Sequence, residues 1–551
     1  MTDASNQGGL LDGVEAAAGI SVSGAASVPG AADDRAQLVQ AGVPGLLAAK
    51  DPTLWGPDAE SEAKIRLGWV DTFRRSRDLL PELAQLREEL ADLTHVVLAG
   101  MGGSSLAPEV IAQTLGRPLT VLDTTDPGQV RAALGDRLAQ TLIVISSKSG
   151  GTVETDSHRR AYWQAFKDSG LDEAEIGRHF VIVTDPGSPL ETVATEMGAA
   201  LLLADPDVGG RYSALTAFGL VPTALAGVDV AELLDQAEAL LPALGQDSDN
   251  PGLALGVALG AAAKNDGRDK VALIDDGTGI QGLGDWAEQL LAESTGKLGT
   301  GILPVVVESP DAPGASGEDV LSVCLGGALA PGTVPGGGIQ PHAAVNGPLG
   351  AQFLTWEYAT AIAGRIIGIN PFDQPNVTES KDNTKHILES GLPDEGPSVT
   401  DGAIQIFGDV ATTVTEALRD LVNGIDTAGY LAVMAYLDRH VDADAAKLRA
   451  LLARAGQERP VTFGWGPRFL HSTGQYHKGG PQVGSYLQIT GVVNEDLPVP
   501  GQPYTFGTLQ AAQAAGDRKA LADRGRPVLH LHLIDRAAGI AQLLAAAKDL
   551  K

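Results

Sequence analysis

Thr141-Leu-Ile-Val-Ile-Ser146 runs directly into Ser147-Lys148-Ser149-Gly150-Gly151-Thr152, and Val153-Glu154-Thr155 follows. The first run is apolar and short, as expected of a strand buried on both faces of a parallel sheet. The second segment is rich in hydroxyls and bent by glycines, so it reads as a loop, and Val153 starts a helix. Strand, loop and helix in that order make an oxyanion pocket. The strand is a rigid floor, the glycines let backbone approach an anion, and hydroxyls and the helix N-terminus donate hydrogen bonds. The loop has neither the Lys-Ser/Thr ending of a nucleotide P-loop nor GxGxxG spacing, which favours a sugar phosphate over a nucleotide. A plain strand-to-helix turn uses the same residue types, so this segment alone leaves both readings open.

The same alternation extends outward. His95 to Gly100 reads as a buried strand, Met101 to Leu106 as a glycine-serine turn, Ala107 to Leu115 as a helix, and Leu119 to Asp123 as a second strand. With Thr141 to Ile145 and His179 to Thr184 this predicts a doubly wound parallel sheet in an α/β fold. A second unit repeats the plan: Lys270 to Asp275, a glycine-rich turn from Gly277 to Gly284, a helix from Trp286 to about Glu293, and the strand Ile302 to Val307. The expected organisation is a helical N-terminal segment with a loose start over 1–80, a first subdomain over 81–229 and a second over 230–390. A mixed α/β C-terminal tail over 391–551 completes it.

At 551 residues the chain exceeds a single core. A hydrophobic share of 44% against 20% charged is globular, and 69 glycines with 32 prolines imply many turns. A formal charge of −30 argues against nucleic acid or an anionic membrane as partner. An anionic substrate must then be met by a local basic pocket. The one cysteine, Cys324, gives no internal disulfide and suits a reducing compartment. The N-terminus lacks a basic segment ahead of an apolar core, and apolar stretches such as Leu253 to Ala263 fall short of the ~18 residues a membrane helix needs. A cytoplasmic protein is expected. The ten histidines are scattered without metal-ligand spacing, so no metal is expected.

Further segments carry candidate chemistry. Gly102-Gly103-Ser104-Ser105 is a strand-end turn, placed where doubly wound folds bind ligands. Val208-Gly-Gly-Arg211-Tyr-Ser lets a guanidinium turn inward toward a phosphate or a developing enolate oxygen. In Glu288-Gln289-Leu-Leu-Ala-Glu293-Ser-Thr-Gly-Lys297, Gln289 and Glu293 share a helical face ahead of a glycine stop, a place where a carboxylate can be tuned as a base. Asn370-Pro-Phe-Asp-Gln374-Pro-Asn-Val-Thr-Glu-Ser-Lys381 places Gln374 and Lys381 on one face if a helix starts promptly.

Taken in order, GMGGSSLAP, SSKSGGTVET, VGGRYS, QLLAESTGK and FDQPNVTESK resemble the glucose-6-phosphate isomerase family over roughly residues 80 to 390. The resemblance implies two sugar-isomerase (SIS-type) subdomains, and a sugar phosphate held by Ser104, Ser147, Lys148, Ser149 and Thr152. It implies that Glu293 moves the proton, that Arg211 steadies an enediolate, and that Gln289, Gln374 and Lys381 orient the sugar. It further implies reversible interconversion of glucose 6-phosphate and fructose 6-phosphate in glycolysis and gluconeogenesis, no cofactor, and a homodimer. The tail also resembles the isomerase half of fused transaldolase-isomerase proteins.

Two departures stand out. Ser149-Gly150-Gly151-Thr152 replaces an aromatic and a run of threonines, which keeps a broader sugar-phosphate isomerase open, including one acting on mannose 6-phosphate. The family's ring-opening histidine lies between the glutamate and FDQ segments, where this chain has only His342. The segment Phe469-Leu-His471-Ser-Thr-Gly-Gln475-Tyr-His477 offers replacements, with His477 favoured, His471 second and His342 third. A non-catalytic sugar-phosphate sensor is the remaining alternative.

Overall fold

The computed structural model describes residues 11–327, 330–334, 340–393, 395–408 and 411–550. In chain order its strands are β1 (Glu15–Ala17), β2 (Ile20–Ser23), β3 (His95–Gly100), β4 (Thr120–Leu122), β5 (Thr141–Ser146), β6 (Phe180–Thr184), β7 (Ala200–Leu203), β8 (Lys270–Asp275) and β9 (Leu303–Val307). They continue as β10 (Val320–Gly326), β11 (Ala343–Asn346), β12 (Val399–Asp401), β13 (Ile404–Phe407), β14 (Tyr430–Tyr436), β15 (Val461–Trp465), β16 (Gly484–Gly491) and β17 (Val528–Leu533). They form three sheets. The α/β class with doubly wound parallel sheets is as the alternation of apolar runs and turns predicts.

The first sheet has the order β4-β3-β5-β6-β7 and is parallel throughout. Every residue of β3, β5 and β6 is buried, which is why these strands read as unbroken apolar runs. The winding reverses between β3 and β5, with Gly100 paired to Ser146 at their carboxyl ends. The Ser104 turn and the Ser147 loop therefore leave adjacent strands at the switch point, where a doubly wound sheet opens a crevice.

The second sheet has the order β1-β2-β11-β10-β8-β9. Its parallel strands β11-β10-β8-β9 are extended by the antiparallel hairpin β1-β2 from the N-terminal segment. This differs from an N-terminal segment that is helical after a loose start. Residues 1–10 lie outside the described residues, and Ile20 and Val22 are fully buried against the second sheet. Helices Ala217–Leu225, Pro251–Asn265 and Leu349–Ile367 join both subdomains in one hydrophobic cluster, in which Trp69 stacks on Tyr212 at 5.1 Å.

The C-terminal tail is more than a mixed appendage. It folds into a third sheet, β12-β13-β17-β16-β14-β15, with β14 to β17 parallel. One face carries Leu431, Val433, Leu487, Ile489, Leu529 and Leu531 and packs under helices Val414–Asn423, Leu448–Ala455 and Arg536–Lys548 as a separate core. The other face turns toward the rest of the chain. There Tyr430, Met434 and Tyr486 share a cluster with Ile274 and Leu303 of the second sheet. Helix Val377–Ser390 leaves the second subdomain and lies along helix Phe506–Ala522 of the third, where Asn383 Nδ2 donates to the Gly516 carbonyl at 3.4 Å.

The approach of the strand-end turns sets a tight tolerance. A Cβ on Gly103 would run into the Gly210 carbonyl, so the Ser104 turn and the Arg211 segment touch only because this residue has no side chain. Gly103→Ala is expected to lower stability by about 1–3 kcal/mol through overpacking, read as a shift of the urea midpoint at unchanged slope.

Candidate active site

Thr152 stands at the N-terminus of helix Val153–Asp168 in extended backbone, and its hydroxyl makes no capping bond to that helix. It pairs instead with Ser147 Oγ at 2.9 Å. The first N–H groups of the helix are thus left for another acceptor. Gly150 sits at φ +70°, and a Cβ there would lie 3.0 Å from Pro189 Cδ, so glycine is what allows this bend. Ser149 and Thr152 line a cavity of about 690 Å³ together with Glu154, Lys381 and His471. Lys148 is not among the lining residues. Its ammonium forms an ion pair with Asp185.

Glu293 lies near the end of helix Leu283–Thr295, with Gln289 one turn earlier on the same face. The side chains face each other at 3.4 Å, from Gln289 Nε2 to Glu293 Oε1. Arg211 approaches the other carboxylate oxygen at 3.8 Å. Burial pushes the Glu293 carboxyl above its ordinary value, opposed by Arg211, by the Gln289 amide and by the more distant His471 and Lys381. The Arg211 guanidinium is fixed from three directions. Its Nε donates to Ser294 Oγ at 2.7 Å, and NH2 donates to the carbonyls of Pro371 at 2.6 Å and Asp373 at 3.2 Å. Lys297 grips the same connection through the Asn370 and Asp373 carbonyls, each at 2.7 Å, and burial together with Arg211 lowers its pKa to about 8.

The cavity and the Glu293 cluster meet at His471. Gln289 Nε2 donates to the His471 carbonyl at 2.8 Å. A Cβ on Gly102 would lie 2.6 Å from Gln289 Nε2 and 2.8 Å from that carbonyl, so the Ser104 turn presses on the same point. The His471 ring places Nε2 3.0 Å from Glu154 Oε1. Burial works to raise the Glu154 carboxyl, but His471 beside it, its own backbone and Lys381 together bring it below its ordinary value. An ionised carboxylate only accepts, so His471 carries its proton on Nε2 and leaves Nδ1 for other work. Gln513 Nε2 donates to the same Glu154 oxygen at 2.7 Å, and its own carbonyl accepts from Thr125 Oγ1 at 2.7 Å.

The three candidate histidines sit in different surroundings. His477 is buried among the rings of Tyr430, Phe469 and Tyr486, and neither ring nitrogen has a partner among the described residues. Burial, with Lys478 and Arg526 nearby, holds it well below its ordinary pKa. It is a core histidine, and His471, the second choice, occupies the cavity. His342 is held by Ser322 at 2.8 Å beside β10. Gln374 is exposed, whereas Lys381 reaches the cavity seven residues on. Glu154, Gln513 and Thr125 carry no assigned role in the sequence reading. Glu154 looks like an ordinary first-turn helix acid, and nothing local announces a partner 317 positions away.

The phosphoglucose isomerase family pattern matches residues 87–245, which include the Ser104, Ser147 and Arg211 segments. Over these residues the chain is similar to the phosphoglucose isomerase family. It is 36% identical over 223 residues to a probable glucose-6-phosphate isomerase of Haloarcula marismortui, covering 39% of this chain and 50% of that one. It is 35% identical over 218 residues to a glucose-6-phosphate isomerase of Cyanothece sp., covering 37% of this chain and 40% of that one. The chain thus spans about half the length or less of these curated relatives. A solved glucose-6-phosphate isomerase from Chlamydia trachomatis shares the fold, with a TM-score of 0.52 at 19% identity over 69% of this chain and 91% of that one. Glu293, Lys381 and His471 lie beyond the matched stretch.

The raised carboxyl at Glu293 has a thermodynamic signature. A group whose folded pKa lies above its unfolded value contributes stability below the unfolded value, about 4.3 for Glu, and loses it as pH rises through the folded one. Glutamine does not titrate. Glu293→Gln is therefore expected to gain stability relative to the parent as pH rises from about 4 toward 8, measured as the difference in urea midpoints along the series.

Proposed function

We propose that the protein interconverts glucose 6-phosphate and fructose 6-phosphate by proton transfer through a cis-enediolate. The observation that carries this reading is the junction at His471, where a carboxylate-bound imidazole and a buried, arginine-faced carboxyl meet through one amide, Gln289.

The phosphate docks on the Ser147–Thr152 loop, taking bonds from the hydroxyls and from the uncapped N–H groups of the helix that Val153 begins. Lys381 at the cavity wall adds positive charge. His471, with Nε2 fixed on Glu154, uses Nδ1 to pass a proton between the ring oxygen and the C1 hydroxyl, which opens the ring. Glu293 then removes the C2 proton and returns it to C1. A carboxyl raised by burial is a stronger base once ionised, nearer in pKa to what efficient proton transfer requires. Negative charge developing on the enediolate oxygens is met by Arg211, whose other donors are committed to Ser294, Pro371 and Asp373 and so need no reorganisation. The substrate's own carbonyl acidifies the proton, so the chemistry needs no cofactor.

Glu293→Gln should keep binding sugar phosphate and lose turnover by roughly 10²–10⁴-fold. Exchange of the C2 proton of glucose 6-phosphate with solvent deuterium, followed by NMR, checks this. Near-normal exchange in the variant would overturn the proposal, and retained phosphate binding without exchange in the parent protein would make it a sensor.

His471→Ala should slow closed-ring substrate while sparing open-chain sugar phosphate, and Glu154→Gln should follow it in part. His477→Phe, placed away from the cavity, should convert both substrates at the parent rate. Pre-steady-state rates with the two forms of substrate separate these outcomes.

A further inference from the structure

All three sheets reverse their winding at one point, and each such point opens a crevice at the carboxyl ends of two strands. The first crevice carries the Ser147 loop. The second, between β8 and β10, is closed by the chain itself. Asp276 there binds Thr278 and the Asn346 amide, and a Cβ on Gly326 would collide with its carboxylate. In the third sheet β14 leads to β15 on one side while β16 lies on the other, so the reversal falls between β14 and β16. Tyr436, Thr490 and Gly491 end these two strands, and a cavity of about 210 Å³ opens beside them.

Three lining side chains hold buried polar atoms without a hydrogen-bond partner among the described residues: Tyr436 Oη, Gln510 Nε2 and His530 Nδ1. Their residues are 1%, 4% and 9% exposed. A buried donor or acceptor left unsatisfied costs free energy, and three around one cavity call for a common partner. Arg518 also lines the cavity, its NH1 bound to Gln488 at 2.7 Å and its NH2 to Glu395 at 3.0 Å. His530 stacks on Phe407 at 4.5 Å, and burial, with Arg518 and His532 close by, keeps it neutral. The Thr490 hydroxyl sits 2.9 Å from both His530 Nε2 and His532 Nδ1. One hydroxyl has one proton to give. When Thr490 donates to His530 and accepts from His532, the His530 proton moves to Nδ1, a donor with no acceptor among the described residues.

We propose that this crevice is a second ligand site, distinct from the isomerase cavity, for a small metabolite bearing a carboxylate or phosphate. Tyr436, Gln510 and His530 donate to its oxygens, and Arg518 supplies the charge. The volume falls below the ~300–1,000 Å³ of ordinary drug-sized pockets, which limits the ligand to a few carbons. Glu395, half-exposed on the linker before the third sheet, stands on Arg518 where the anion would bind, so an incoming anion displaces it.

The test uses the full chain carrying Ser147→Ala and Thr152→Ala, which disables the first phosphate site. Calorimetric titrations with succinate and with inorganic phosphate distinguish a carboxylate from a phosphate site. Binding of at least one at a Kd of about 1 mM or tighter is expected. Tyr436→Phe and Gln510→Leu should each weaken it by about tenfold, and Glu395→Gln should tighten it by freeing Arg518. Because the Tyr436 hydroxyl has no protein partner, Tyr436→Phe should melt no lower than its parent, so loss of binding there is not loss of fold. No binding of either probe up to ~10 mM, or equal affinity in all four proteins, overturns the proposal.

Discussion

The interior of this protein is organised around a buried guanidinium. Arg211 is 1% exposed, and a cation so placed persists only if its donors find acceptors. It finds them on two other segments of the chain: Ser294 at the end of the Glu293 helix, and the carbonyls of Pro371 and Asp373 ahead of the Lys381 helix. Satisfying Arg211 therefore fixes where Glu293 and the 370–376 connection sit relative to the first sheet. Lys297, fastened to the same carbonyls, makes the connection doubly held. In the proposed reaction the chemistry inherits this rigidity, because the group set to answer charge on an enediolate also locks the geometry around it.

The second constraint crosses the domains. Glu154 belongs to the helix after the first sheet, whereas His471 and Gln513 belong to the third sheet's domain, and the three converge on one carboxylate oxygen. A buried carboxylate with two donors costs less to hold than an unpaired one, so domain docking and the ionised state of Glu154 support each other. One chain thus supplies both the Ser149–Thr152 wall of the cavity and the imidazole beside it. This accounts for a tail with its own core and one face turned inward: a separately stabilised layer can deliver a loop histidine with the precision a proton transfer needs.

The parts legible in the sequence are those in which local pattern and final environment agree. β5 is buried on both faces and reads as an apolar run. The glycines beside it sit where backbone must bend or approach closely, as at Gly150 and Gly103. Gln289 and Glu293 share a face because helical spacing dictates it. What stays hidden is set by distant contacts. His471 and His477 occur in one polar, glycine-bent segment, and only the third sheet decides that Tyr430 and Tyr486 enclose one while Glu154 takes the other. Lys148 reads as a phosphate ligand, and nothing local announces its ion pair with Asp185 from the neighbouring strand end. The N-terminal hairpin was illegible for a related reason: short strands of small residues become strands only when the β11 edge offers them hydrogen bonds.

The charge distribution completes the argument. A protein with 69 acidic and 39 basic residues repels anions at long range, yet its proposed substrate is a phosphate. Attraction must come from within about a Debye length, roughly 8–10 Å at physiological salt. The cavity supplies it with the helix N-terminus behind Thr152 and with Lys381, while Lys148 is neutralised by Asp185. On the proposed reading, backbone N–H groups and hydroxyls rather than side-chain cations carry much of the phosphate affinity. Such donors are short-ranged and oriented, so they act little on distant anions and strongly on one that fits. An acidic surface can in this way repel nonspecific polyanions at long range while the cavity offers oriented donors to a phosphate that fits.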